Sequence, residues 1–333
     1  MNGLALGRFT ALFFLPSINH GFTQILGTDF HEFMYRICAD LWFKRNLMTL
    51  DPDQLETKDL YAYLSTAVAP RPIAFASTVD EDGNVNLSPF SYFNVFSTRP
   101  PILVFSPIRR GRDGSAKDTL ANVLAVPEVT ISIVSYAMVE QMSLTSTEYP
   151  TGVNEFVKGG FTEVAGEVIR PPRVGEAPVA FECRVNEVKS LGEGGGAGNL
   201  VIAEVLRIHI REEVLNDDAT LNTRMLDLVA RLGGNDYLRV IDESLFEIPK
   251  PLRNCGMGVD ALPTHIRNST VLTGNNLGRL ANLEQFPDEA LITEVRMRPE
   301  VQLARKRGVE HLHTLARRYL DERRIEEALA MLL

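Results

Sequence analysis

Apolar residues form short runs or alternate with polar residues over most of positions 70–210, which is typical of β-strands rather than long helices. The first run ends at Asp82-Gly83, a dipeptide typical of two-residue hairpin turns. The last two strands are joined by the glycine-rich segment 192–198, which predicts a second hairpin. The predicted strands, six in all, are residues 70–79, 85–96, 99–107, 128–135, 178–191 and 199–210.

Helical periodicity is confined to shorter segments. Leu60 and Leu64 mark a short helix within residues 48–68, and Gly233-Gly234 ends a helix predicted over 221–234. Because strands and helices do not alternate, the pattern predicts an antiparallel barrel with attached helices rather than a parallel α/β sheet. Two more short helices are predicted at 115–126 and 137–143, with a loop at 144–160.

Composition divides the chain into four parts. Residues 1–47 show neither strand alternation nor a helical stripe, and we expect an appendage outside the folded unit. Residues 48–240 form the predicted barrel domain, followed by an irregular extension, 241–290, that is rich in Pro, Gly and Asn and is expected to pack on the barrel. Residues 291–333 are predicted to form a helical tail whose apolar stripe comprises Leu312, Leu315, Tyr319, Ile325 and Leu329.

Acidic residues exceed basic ones in this chain of 333 residues, which gives a formal net charge of −9. That balance argues against a general nucleic-acid-binding protein, and no apolar run reaches the roughly 20 residues of a membrane helix. Cys38, Cys183 and Cys255 are far apart and show neither zinc spacing nor a disulfide framework. These features predict a cytoplasmic protein with no metal site and no nucleic-acid or membrane partner.

An anion-binding helix start is predicted at segment 115–123. Ser115 followed by Asp118 is a capping pattern, so we expect Ser115 to be the N-cap and residues 117–119 to form the first turn. Backbone N–H groups and the helix dipole there favour an anion, and Lys117 adds a full charge. The same pattern is equally typical of a capped surface helix with solvated charges. The preceding loop contributes Arg109, Arg110 and Arg112.

A second candidate segment is 86–94, on the return strand of the first hairpin. Pro89 has no N–H to donate to a ladder, so the strand is broken or lies at an edge there. Exposed backbone groups at such a break can bind a planar ligand with hydrogen-bonding edges. An edge strand with a bulge and no ligand is the alternative.

Two other patterns are weak. Gly192, Gly194 and Ala197 fit G-x-G-x-x-A, but the loop precedes a strand rather than a helix, which favours a flexible hairpin over a dinucleotide site. His209 lies in a long strand, and from the residues alone a structural histidine is favoured.

Segments 69–107, 115–123, 149–162 and 198–210, in this order and spacing, resemble the flavin reductase-like (flavoredoxin-type) family of FMN-binding split-barrel proteins. Residues 251–284 resemble an extension in a longer-chain subgroup. The resemblance implies a mainly β fold with a six-stranded antiparallel split barrel, a homodimer, and FMN held near the subunit interface.

The resemblance also implies which residues bind the cofactor. It places the FMN phosphate against Ser115, Lys117, Asp118 and Thr119. It places His209 near the nicotinamide of a co-substrate. Contacts to the ribityl chain and flavin ring are implied for Ser77, Thr78, Ser88, Pro89, Phe90 and Ser91, and more weakly for Asn94 and Ser106.

We therefore expect an FMN-dependent oxidoreductase in which NADH or NADPH gives hydride to the flavin, which passes electrons to free flavin, a partner protein or a small acceptor. No side-chain acid or base is required, because the flavin carries the chemistry. The alternative is a flavin-binding electron-carrier module with no nicotinamide reaction of its own. The lack of a Rossmann pattern in the sequence leaves that alternative open.

Overall fold

A computed structural model of the chain describes residues 47–248 and 255–333. The predicted appendage, residues 1–47, therefore lies outside the described residues except for its last position. The described residues form two compact units that divide between Ser244 and Leu245. No helix in the described ranges is both long enough and apolar enough to cross a membrane.

The first unit is built on one antiparallel sheet of seven strands in the order β2-β1-β5-β8-β9-β4-β3. Two long strands, β8 and β9, form the hairpin predicted around the glycine-rich turn. The strands of this sheet are β1 (Ala74–Val79), β2 (Val85–Phe90), β3 (Phe93–Thr98), β4 (Pro101–Phe105), β5 (Glu128–Ile133), β8 (Val179–Ser190) and β9 (Asn199–Ile210). Two small two-stranded sheets consist of β6 (Glu163–Val164) with β7 (Arg173–Val174), and β10 (Val229–Arg231) with β11 (Tyr237–Arg239).

The sheet curls into a barrel because its two edge strands are consecutive in the chain. Only Ser91 and Tyr92, which we call the β2–β3 connector, separate β2 from β3. The rings of Phe90 on β2 and Phe105 on β4 lie 5.3 Å apart, and side chains from six of the seven strands share one buried core. Since β2 and β3 do not pair with each other, the barrel is split at this connector.

The predicted return strand 85–96 is one strand in the expectation and two in the structure. Phe90 pairs with Ala74 on β1, whereas Phe93 pairs with Phe105 on β4, so the chain changes partner at the connector. Pro89, which cannot donate a backbone hydrogen bond, lies just before the change. This division raises the strand count from six to seven, and the mainly antiparallel fold with attached helices is confirmed.

The helices of the first unit are short. Those predicted within 48–68, 115–126 and 137–143 are present. The predicted loop at 144–160 contains one more helix, which begins where the Asn154 side chain accepts a hydrogen bond from the Phe156 N–H. The bounds are α1 (Thr57–Ala67), α2 (Asp118–Ala125), α3 (Val139–Leu144) and α4 (Glu155–Gly159), with single turns of 3₁₀-helix at Pro52–Gln54, Tyr136–Met138, Glu212–Val214 and Asp242–Ser244.

The prediction of a helix over 221–234 is wrong. The Asn222 side chain accepts hydrogen bonds from the N–H groups of Arg224 and Met225, which holds this part of the segment in a turn. Residues 229–231 then pair with β11, and Gly233-Gly234 lies in the connection between β10 and β11. Tertiary pairing overrides the helical periodicity here.

The second unit, from Leu245, is helical. The irregular extension predicted over 241–290 is wrong from residue 264 onward, because two helices lie there. The predicted apolar stripe of the tail is confirmed, since its residues lie in or against the buried core of this unit. The helices are α5 (Thr264–Arg267), α6 (Gly274–Ala281), α7 (Glu289–Met297), α8 (Pro299–Arg307), α9 (Val309–Asp321) and α10 (Ile325–Leu332), preceded by a 3₁₀ turn at Val259–Ala261.

Arg71 connects three parts of the first unit. Its guanidinium is buried and donates to the carbonyl groups of Ser65 and Val68 at the end of α1 and to that of Leu232 next to β10. Its Nε lies 3.4 Å from the hydroxyl oxygen of Ser91 in the β2–β3 connector. A single side chain thus ties a helix end, the small sheet and the split of the barrel together.

Replacement of Arg71 tests this connection. Arg71→Met keeps the aliphatic bulk but leaves buried carbonyl groups without donors, at about 1–3 kcal/mol for each such group. We expect the free energy of unfolding in urea to fall by about 3 kcal/mol. The matched control is Arg184→Met, an exposed arginine paired with Glu204, for which the loss should stay below about 1 kcal/mol. Equal losses in the two variants would contradict the role of Arg71.

Candidate functional site

The predicted anion site lies at the start of α2, but its cap differs from the expectation. The N-cap is Lys117, with extended backbone angles, and no side chain caps this helix end. Ser115, predicted as the cap, lies two residues earlier, where its hydroxyl accepts from Arg110. Because no side chain fills the cap, the first N–H groups of α2 remain available to a ligand.

Lys117 is a half-buried cation at this helix start. Its ammonium lies 5.4 Å from the centre of the Phe90 ring. Burial lowers the pKa of Lys117, and the charge of Arg110 lowers it further, while Glu148 acts in the opposite direction. Among the described residues no carboxylate lies within salt-bridge distance of Lys117. A bound anion would therefore offset a charge that the fold itself leaves poorly compensated.

Two arginines of the preceding loop surround the same helix start. Arg110 donates to the carbonyl oxygen of Ala116 at 2.6 Å and forms an ion pair with Glu148. Arg109 donates from one terminal nitrogen to the carbonyl oxygen of Gly114, while its buried Nε has no partner within the described structure. Buried donors are normally satisfied, so this nitrogen is an exception within the described structure. Arg112 is exposed and faces Asp113 and Glu148.

Thr119 belongs to a buried polar chain beneath the helix start. Its hydroxyl donates to Oδ1 of Asn86 at 2.7 Å, and Nδ2 of Asn86 lies 3.2 Å from Oε2 of Glu155. The same carboxylate oxygen accepts from the N–H of Leu87 at 2.9 Å. Burial raises the pKa of Glu155, hydrogen bonds oppose this rise, and the nearby charge of Asp118 adds to it. These hydrogen-bonded side chains fix the position of α2 relative to β2.

Sequence reasoning missed Asn86 and Glu155. Asn86 begins the segment singled out for its Pro89 break, so its neighbours carried a signal. Glu155 lies in segment 149–162 of the family resemblance, but that segment is predicted to be a loop and Glu155 reaches β2 only through the tertiary fold.

The first-strand residues Ser77 and Thr78 are both completely buried. The Thr78 hydroxyl accepts from Nδ2 of Asn122 on α2 at 3.1 Å. The Ser77 hydroxyl oxygen has no hydrogen-bond partner among the described residues. Adjacent strand residues point to opposite faces, so only Thr78 of this pair is directed to the α2 side of the strand.

Predicted ring-binding residues cluster at the split of the barrel. Ser88 is half-buried, and Phe90 is buried against Phe105. Pro89 and Ser91 line a cavity of about 330 Å³. Ser88 and Phe90 share one face of β2, so a planar ligand in the cavity on the other face would meet the Ser91 hydroxyl, the proline face and the free edge of β2.

The side chains of the two weaker candidates are engaged within the protein, although the Ser106 N–H donates to the carbonyl oxygen of Tyr92 in the β2–β3 connector at 2.8 Å. Asn94 is exposed, and its side-chain oxygen accepts from the N–H of the next residue, Val95. Ser106 is buried, and its hydroxyl accepts from the N–H of Asn199 at the start of β9. Ser106 thus holds the end of β4 against β9.

His209 is paired with a buried carboxylate. Its Nε2 lies 2.6 Å from Oε1 of Glu182. The two oxygens of this carboxylate also accept hydrogen bonds from the N–H groups of residues 167–169. Burial alone would raise the pKa of Glu182, but these backbone donors and His209 lower it overall. His209 is ten residues along β9 from Asn199, about 33 Å in an extended strand. Since Asn199 is hydrogen-bonded to Ser106, His209 and Ser106 lie far apart within one chain.

No group of three or more metal-ligating side chains occurs in residues 47–248 and 255–333. The fold brings cations and hydroxyl groups together at α2 and the barrel split, and the carboxylates there, Glu148 and Glu155, already have partners in Arg110 and Asn86. Such a set suits a phosphate and a hydrogen-bonding ring rather than a metal ion.

Comparison with known proteins gives a consistent picture. The sequence profile described as flavin reductase like domain matches residues 66–227. An uncharacterized protein of Aquifex aeolicus (strain VF5) is 34% identical over 189 residues, which are 57% of this chain and 94% of the relative.

Two solved structures are similar over most of their own length. Nitrilotriacetate monooxygenase component B from Bacillus cereus has a TM-score of 0.57 and 29% identity, and the match covers 61% of this chain and 98% of that protein. The 2-nitrobenzoate 2-nitroreductase NbaA of Pseudomonas fluorescens has a TM-score of 0.55 and 25% identity, covering 63% and 100%.

Proposed function

The chain belongs to the flavin reductase-like family, and from that membership we propose that it is an FMN-binding oxidoreductase that takes hydride from NADH or NADPH. The observation that carries the proposal is the cation cluster at the uncapped start of α2. There Lys117 lacks a carboxylate partner among the described residues, and the buried Nε of Arg109 lacks an acceptor. A phosphate dianion at this helix start would supply the missing partner of Lys117.

The residues at the barrel split would hold the ring of the same cofactor. The ring of Phe90 lies beside both Lys117 and Phe105, on the face of β2 that Ser88 shares. Ser88 would contact the ribityl chain on that face, whereas on the cavity side Ser91 would contribute a hydroxyl group and Pro89 a flat apolar contact to the ring. The end of β2, residues 88–90, would thus lie between the phosphate end and the ring end of the bound cofactor.

FMN, when bound, supplies the hydride and electron transfer chemistry. The protein's own residues have other tasks: α2 and its cations bind the phosphate, and the connector orients the ring. The hydrogen bonds from Thr119 through Asn86 to Glu155 hold α2 in a fixed position relative to β2, which leads into the connector. The acceptor in the proposed reaction is a small molecule or free flavin, which is supported by the reductase named among the similar structures.

Replacement of Lys117 tests the phosphate site. A charge-assisted hydrogen bond contributes about 1.5–3 kcal/mol, so Lys117→Ala should weaken FMN binding by about one to two decades in Kd. Thr119→Ala should weaken it less. The control is Lys158→Ala. Lys158 is an exposed residue of α4 whose ammonium lies near the Tyr149 ring, and its replacement should leave the affinity for FMN unchanged. Equal Kd values for Lys117→Ala and the wild type in a fluorescence titration would show that the phosphate binds elsewhere.

Spectroscopy distinguishes the oxidoreductase from a simple electron carrier. We expect the FMN-loaded protein to be yellow and its flavin absorbance to bleach when NADH or NADPH is added anaerobically. Stopped-flow traces with each nicotinamide would then give the preferred donor. Bleaching by dithionite but by neither nicotinamide would support the carrier function and contradict the proposed reductase.

We also propose a homodimer and a cytoplasmic location. Val95 and Phe96 are exposed on β3, a sheet edge, and Leu206, Ile208 and Ile210 are exposed on the part of β9 that pairs only with β8. Exposed apolar edges favour association with a second chain. The free thiols of Cys183 and Cys255 are typical of a reducing compartment.

Light scattering tests the dimer. The wild-type mass should be that of two chains, and Phe96→Asp should reduce it to that of one chain because the new charge would be buried in the contact. Val157→Asp, at an exposed apolar residue on α4, is the control and should keep the wild-type mass. A wild-type mass of a single chain would contradict the proposal.

A further inference from the structure

The cavity of about 330 Å³ beside the barrel split has two contrasting sides. One side is formed by Pro89 and Ser91, which the proposed function assigns to the flavin ring. The other side is formed by the small sheet, with Arg231 on β10, Tyr237 on β11 and Asn235 between them. The family-model match ends at residue 227, before this second side begins.

Arg231 is the charged residue of this cavity wall, and the described lining residues include no Asp or Glu. Its guanidinium lies 4.6 Å from the centre of the Tyr237 ring and donates one hydrogen bond, of 2.6 Å, to the carbonyl oxygen of Gly234. No carboxylate of the described residues lies within salt-bridge distance. An arginine stacked on an aromatic ring is held flat, with its other donors available to a planar anion.

A second arginine without a carboxylate partner among the described residues, Arg71, pairs with Arg231 through the backbone. Arg71 and Arg231 form a bridge of two backbone hydrogen bonds, of 2.9 and 2.8 Å. Arg71 is buried, and within the described structure it also has no carboxylate partner. In an acidic chain, two buried or half-buried cations without counter-ions create a local positive potential at the cavity.

The cavity also offers neutral hydrogen-bonding groups. Ser143 on α3, Ser146 and Asn235 line it together with the apolar side chains of Ile73 and Met142. This is the composition of a site for a small molecule with one apolar ring and one anionic group.

We propose that this cavity binds the anionic group of the co-substrate that exchanges electrons with the flavin, and that Arg231 is the residue that pairs with it. The inference rests on the proposed function, because the cavity shares Pro89 and Ser91 with the ring site. The anion is a carboxylate or a phosphate. It belongs either to an aromatic acid that accepts electrons or to the nucleotide part of the donor.

The test compares charged and neutral probes. Nicotinamide mononucleotide and benzoate carry the two candidate anions, and nicotinamide and benzamide are their neutral counterparts. Each is titrated calorimetrically into FMN-saturated wild type, Arg231→Gln and Arg231→Lys. Arg184→Gln, at an exposed arginine outside the cavity, is the matched control. Thermal unfolding of each variant checks that the fold is retained.

We expect Arg231→Gln to weaken binding of at least one anionic probe about tenfold, with neutral probes and FMN affinity unchanged. Arg231→Lys should lose less, because it keeps the charge. The probe that responds identifies the source: benzoate indicates the acceptor, and the mononucleotide indicates the donor. No binding of either anion to the wild type, or equal losses for charged and neutral probes, would overturn the proposal.

The outcome is separable from that of the proposed function. If the protein does not bind FMN, the same titrations are made without it. An Arg231-dependent loss of anion binding there would retain the anion site and reject the flavin site. Normal FMN binding with no response of either anion to Arg231→Gln would retain the flavin site and reject the anion site.

Discussion

The guanidinium of Arg71 is buried where the end of α1, the small sheet and the β2–β3 connector meet. The connector is the point at which a seven-stranded sheet must turn back on itself, because its two edge strands are separated there by only two residues. A rigid connector is therefore needed both to close the core and to present Pro89 and Ser91 to a ligand. The hydrogen bonds of Arg71 supply that rigidity, and its charge reaches the adjacent cavity as well.

Uncompensated positive charge is a recurring feature of the candidate site. The chain as a whole is acidic, yet Lys117 at the α2 start and Arg71 and Arg231 near the cavity lack carboxylate partners among the described residues. Elsewhere in the described structure the opposite arrangement is common. In the second unit, for example, Arg298 and Arg324 share Glu327, and the pKa of that carboxyl falls to about 2 because hydrogen bonds from Arg324 and Arg298 outweigh its burial. Ion pairs occur in both units, among them Arg110 with Glu148 beside the α2 start, whereas Lys117, Arg71 and Arg231 have none among the described residues.

The separation of His209 from the α2 end of the barrel bears on how the site is organised. Glu182 and three backbone N–H groups hold this histidine in a fixed network on the outer part of β9. In an extended strand it is about 33 Å from Asn199. Across the sheet, however, His209 is in line with Pro89 through Ala180, Ser132 and Phe75, four strand spacings or roughly 19 Å away.

Local patterns in the sequence determined the strands, the short helices around 57–67 and 118–125, and the apolar stripe of the tail, since each depends on periodicity within a few residues. They also indicated the cation-rich helix start and the break at Pro89. Tertiary structure decided what local periodicity cannot encode. It turned 221–234 from a predicted helix into part of a two-stranded sheet, because backbone pairing with β11 and Arg71 outweighs helical propensity. It also divided the return strand between two partners and brought Glu155 to Asn86 and Arg231 to Pro89. The first pair is 69 positions apart and in contact, and the second is 142 positions apart and lines one cavity, and only a folded core brings such residues together.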